Sequence, residues 1–103
     1  MTETAAIEYA HLRMKDLGIT EYYIKPKHLV IAANTTRDLD ADNQLFVLVD
    51  ENADVTIYSD FGFYDLSDPN ANELNYEHQG SISIRNNAQN PTHIKFIQAI
   101  IKN

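Results

Sequence analysis

The ten residues "THIKFIQAII" at 92–101 limit what this chain can fold into more than any other stretch. Side chains alternate between the two faces of an extended strand. Ile94, Phe96 and Ile100 therefore fall on one face, and Ile97, Ala99 and Ile101 on the other. A strand that is apolar on both faces is covered on both, so the architecture needs more than one layer. The preceding segment "YEHQGSISIRN" leads into "NAQNP", a turn cluster. With Asn86 opposite Thr92, Ile84 faces Ile94, Ile82 faces Phe96, Gly80 faces Gln98 and His78 faces Ile100. The apolar pairs fall in register, which predicts a hairpin of these two strands. The second face of the last strand then requires the N-terminal helix or another subunit.

Residues 3–17 read as that helix. Ile7, Ala10, Met14 and Leu17 recur with a 3.6-residue period. Acidic residues come early and basic ones late, as the helix dipole favours, and Gly18 is a natural stop. A second stripe of Ala5, Tyr9 and Leu12 lies nearly opposite, which fits either partial exposure or a helix gripped from two sides.

After Gly18 the pattern turns to β. "EYYI" reads as a short strand broken by Pro26. "HLVIAANT" and "QLFVLV" are continuous apolar runs, expected to be covered on both faces. "DVTIYS" alternates, and "DENAD" before it suits a hairpin turn. "SDFGFYDLSDPNANE" reads as irregular. With 103 residues, one domain spanning 1–103 is expected. The predicted fold is mainly β (α+β). It is an antiparallel β-sandwich or rolled sheet of six to seven strands over residues 20–102, with the helix packed on it.

Composition removes several functions. The net charge of −7 opposes nucleic-acid binding and anionic membranes. No apolar run approaches a bilayer span. The first 18 residues lack the apolar core of a secretory signal, so the expectation is a protein made in the cytoplasm. With no cysteine, disulfides and thiolate chemistry are excluded. Three glycines are too few for a phosphate-cradling loop.

The candidate sites are modest. Asp38, Asp40 and Asp42, with Asn43 and Leu45, match the first part of a calcium loop over 38–44. The twelfth position is Val49, which cannot ligate, so the competing reading is a solvated acidic turn. The four histidines form no close ligand pair in sequence. His78 is a candidate acid/base beside Glu77, against a structural role for the same ring. "YSDFGFYD" clusters aromatics that fill a core or anchor a partner. The expected function is a non-enzymatic structural or interaction protein without a cofactor, self-associating in a larger assembly such as a virus or phage particle. Its expected interface residues are Tyr9, Leu12, Phe61, Phe63, Ile97 and Ile101. The alternatives are a small ligand- or calcium-binding β domain, or an enzyme using His78.

Overall fold

The computed structural model describes residues 2–49, 54–66 and 75–102. Helix α1 spans Glu3–Asp16, and strands β1 to β6 span Tyr22–Ile31, Thr36–Leu48, Val55–Phe61, Phe63–Asp65, Glu77–Asn86 and Thr92–Ile101. The strands form one antiparallel sheet in the order β1-β6-β2-β5-β3-β4. The mainly β, rolled-sheet fold with an N-terminal helix is thus as expected, though as one sheet rather than two.

The helix ends where its sequence says it should. The Thr2 side chain caps the start by accepting from the Ala5 N–H at 3.1 Å. At the other end, the Gly18 N–H reaches the Lys15 carbonyl and the Ile19 N–H the Met14 carbonyl. That bond pair closes the last turn with Gly18 in the left-handed region. The buried stripe is Ala6, Ala10 and Met14, not Ile7-Ala10-Met14-Leu17. Leu17 is exposed, and so are Ala5 and Leu12 of the second stripe.

The predicted hairpin of β5 and β6 does not form. β2 lies between them, pairing with β5 on one side and through residues 44–48 with β6 on the other. "QLFVLV" and "DVTIYS" are likewise not hairpin partners, because β5 separates β2 from β3. Most of their connection, 50–53, lies outside the described residues. β1 runs unbroken through Pro26. It is an edge strand, where a residue without an N–H removes no ladder bond if its nitrogen faces the open side. Its outer face is covered only in part: Ile24 packs beneath the helix, whereas Val30 is half exposed. The acidic stretch is strand rather than loop, since β2 begins at Thr36 and passes a bulge between Ala41 and Leu45.

The sheet buries both faces within one chain. Its inner face collects Leu29, Ile31, Phe46, Leu48, Val55, Ile57, Tyr64, Ile82, Ile84, Ile94 and Phe96. A sheet buries a face against itself only by rolling up, and Asn86 shows the roll directly. Its side-chain amide donates to the Ile31 carbonyl at 3.1 Å. In a flat sheet, β5 and β1 would stand about 14 Å apart, three strand spacings. Among the described residues β1 and β4 remain as edges, so the roll is open.

The other face of β2 and β6 carries Leu45, Val47, Val49, Ile97 and Ala99 beneath Ala6, Ala10 and Met14. Ile24 of β1 also packs there, half-buried. One short helix covers three strands because two of its contact residues are alanines, which let its backbone come close. Each fully buried aliphatic side chain here is worth about 1.5–3 kcal/mol.

Candidate interaction surface

β2, β5 and β3 lie side by side beyond the helix, and the period of two sets what their outer face shows. Asp38 pairs with Ser83 and Asp40 with Ser81, while Tyr58 stands opposite Ser83 on the far side. Asp60 follows Tyr58 across a register shift between Ser59 and Phe61. These six residues line a shallow groove of about 630 Å³. Its acids are partly engaged already. The Ser83 hydroxyl donates to Asp38, and the Ser81 N–H donates to Asp60 Oδ2 at 2.9 Å.

The groove does not converge on a cation. Asp40 accepts from the Asp42 N–H at 3.1 Å, the self-bonded turn that competes with calcium ligation. Asn43, with φ of 58°, turns the bulge. Val49, at the place of the bidentate acid, is buried beneath the helix. Among the described residues no three His, Cys, Asp or Glu side chains are placed to hold a metal.

β3 and β4 meet in a tight hairpin around Gly62. The Tyr58 and Phe63 rings pack with centroids 5.1 Å apart. Tyr58 is 57% exposed and Phe61 48%, and Leu66 follows at 37%. This end of the sheet is thus an apolar, aromatic surface bordered by the acidic groove. The segment read as irregular contains a strand pair, and residues 67–74 lie outside the described residues.

The other residues expected at an interface divide. Leu12 is exposed at 60%. Ile97 is buried under the helix, and Ile101 packs half-buried against the same cluster. Tyr9 is half-buried too, its hydroxyl donating to Glu77 Oε1 at 2.8 Å. Glu77 also accepts from Arg13 and, at 2.7 Å, from Gln79. Burial opposes its charge, but the bonds from Arg13, Tyr9 and Gln79 outweigh that and hold the carboxyl below its usual range. Burial, then the bond to Glu77, pushes the Tyr9 phenol up to about 12. This network fastens the helix to β5, and its carboxylate is committed.

His78 is fully buried on the inner face, opposite Phe46. Its Nδ1 lies 2.9 Å from the Ser59 hydroxyl, which also contacts the Phe61 and Gly62 carbonyls. A hydroxyl has one proton. Donating it to a carbonyl leaves the oxygen to accept from Nδ1–H, which places the lone pair on Nε2, and Nε2 has no partner among the described residues. Burial drives the imidazole down to about 4, against the opposing influence of the Asn75 backbone and of Glu77. A neutral ring sealed from solvent is poorly placed to exchange protons with a substrate.

One association escaped the sequence reading. His28 Nε2 and His93 Nδ1 are 2.9 Å apart on β1 and β6. Val30 pairs with His93, so the two histidines are diagonal neighbours. They are 65 residues apart, and only the strand order brings them together. They stand with Lys27 and Lys95 on a basic edge of this acidic protein.

No protein-family model, curated protein or solved structure matches this chain.

Proposed function

We propose that this chain is a non-enzymatic interaction protein that self-associates as a subunit of a larger assembly, with the β3–β4 end of the sheet as a contact surface. The observation that carries this reading is the concentration of exposed apolar side chains there. Tyr58, Phe61 and Leu66 stand open within nine residues, although both cores are closed inside one chain. Exposed aromatics bordered by polar groups mark interaction sites. The sealed His78 and the committed Glu77 support a role without catalysis.

Sedimentation across a micromolar to high-micromolar range tests the reading. The weight-average mass should rise with concentration for the wild-type chain. A constant monomer mass at the highest concentration overturns it. A second reading, a small-ligand domain, is favoured by the groove between Asp38, Asp40 and Asp60 with its hydroxyl floor. A monomer that binds a small cationic or polyhydroxylated ligand there would support it.

A further inference from the structure

We infer that the chain associates head to tail: the β3–β4 turn of one copy, carrying Asp60 and Phe61, docks into a basic-rimmed groove beside β1 of the next. The inference rests on the self-association reading above and names its two unlike surfaces.

The first surface is the turn just described, with Phe61 exposed beside the exposed Asp60. The second is a groove of about 310 Å³ where the start of α1 meets β1 and β6. It is lined by the exposed Pro26 and by the core residues Val49, Phe96 and Ile97, and its rim carries the cations Lys27 and Lys95, the His28 ring and one carboxylate, Glu3. An aromatic ring with a carboxylate beside it is the chemistry such a groove accepts, because the ring fills the apolar part and the rim neutralises the acid.

Charge is sorted along the sheet in the same sense. β1, β6 and the residue following β6 hold Lys25, Lys27, Lys95 and Lys102, half of the chain's eight Lys and Arg. β2, β3 and β4 hold Asp38, Asp40, Asp42, Asp60 and Asp65 against one arginine, Arg37. Net charge alone would make copies repel, whereas this sorting lets unlike ends attract.

The register places the two surfaces at nearly the same height on opposite edges. Pro26 pairs with Ile97, Ile97 with Val47 and Val47 with Glu77, while Phe61 pairs with Gln79, two residues further along β5. The groove of one copy is not lined by its own turn. A turn of one copy in the groove of the next, repeated from copy to copy, is a heterologous contact that propagates into a ring or a filament. Pro26, Lys25 and Lys27 also discourage direct backbone pairing at the β1 edge, which leaves contact through side chains.

Two surface variants test this. Phe61→Lys removes the ring and sets a like charge against the basic rim. Lys95→Glu reverses the rim. Both positions are exposed, and circular dichroism with urea unfolding checks that each variant folds; Phe61→Ser and Lys27→Glu replace any that does not. Each variant alone should sediment as a monomer where wild type associates. Mixed in equal amounts, they should form a species of twice the chain mass and no larger, since one keeps its groove and the other its turn. One molar salt should weaken wild-type association at least tenfold. Association by either variant alone at wild-type strength, or a mixture that stays monomeric while wild type associates, overturns the head-to-tail contact and leaves self-association standing. A wild-type chain that never associates removes both.

Discussion

The His78 ring offers a direct measure of how tightly the inner core is sealed. Its folded value is lowered from 6.5 to about 4, by burial above all. The unfolded chain therefore binds this proton more readily than the folded one. Stability is complete above about pH 6.5 and falls as the pH drops toward 4. The lowering from 6.5 to about 4 corresponds to about 3 kcal/mol once both states are protonated. Between pH 7.5 and pH 5, titration of this one ring removes about 2 kcal/mol. In urea unfolding that loss moves the midpoint down by roughly 1 M. Glu77 acts in the same direction but lower: its folded value is depressed, so its contribution is lost as the pH falls through that depressed value. Working above pH 5 keeps the two apart. His78→Gln removes the titrating group and should flatten the profile over pH 5–7.5, whatever it costs at neutral pH. A wild-type midpoint unchanged from pH 7.5 to 5, or an equal slope in His78→Gln, would refute the reasoning and return His78 to the candidates for accessible chemistry.

Asn86 should be the most sensitive polar position. It is fully buried; its amide donates to the carbonyls of Ile31, Ala32 and Asn90, and its oxygen accepts from the Ala88 N–H and the Thr92 hydroxyl. Asn86→Ala should cost at least ~3 kcal/mol in chemical unfolding, and Asn86→Asp more, because a carboxylate would face three carbonyls; a loss under 1 kcal/mol for either removes this residue as the lock of the roll. Gly80 has φ of 79°, and an added Cβ would clash with the Asp60 side chain. Gly80→Ala should lose about 2 kcal/mol, and adding Asp60→Ala should recover the steric part but not the backbone strain; identical single and double variants would mean that Asp60 does not press on this position. Millimolar calcium should leave the thermal midpoint where chelator leaves it, given the Asp40 turn and the buried Val49; a rise of many degrees abolished by Asp40→Asn would establish a calcium site.

What the sequence disclosed and what it hid follow from the same alternation rule. Ile82, Ile84, Ile94 and Phe96 do share the inner face, as the apolar pattern requires. That pattern assigns each side chain to a face but says nothing about which strand lies next to which. Inserting β2 between β5 and β6 keeps every one of these residues on its face, so a hairpin and an interrupted pair look alike in sequence. The acidic stretch misled for another reason. Asp38 and Asp40 alternate with Leu39 and Ala41, a strand period, but three acids in five residues resemble a loop. The Tyr9 and Arg13 spacing on the helix was equally open to view, yet their shared partner Glu77 lies 64 residues beyond Arg13. The exposed aromatics were visible as a cluster; whether they faced a core or a partner depended on burial, which only the fold decides.

The helix changes where an assembly contact can be. Had Ile97 and Ala99 been left open, the last strand would itself have demanded a partner, and folding and association would have been one process. Instead Ala6, Ala10 and Met14 close that face, and the roll closes the other. The chain can complete both cores alone, so the proposed association would add to a finished unit. The proposed contacts would then draw on side chains that folding leaves at the surface, among them Tyr58, Phe61 and Leu66 by the β3–β4 turn and Lys95 by β1. A contact built from such side chains exchanges water for modest apolar area and paired charge. It should be reversible and salt-sensitive, unlike a shared core.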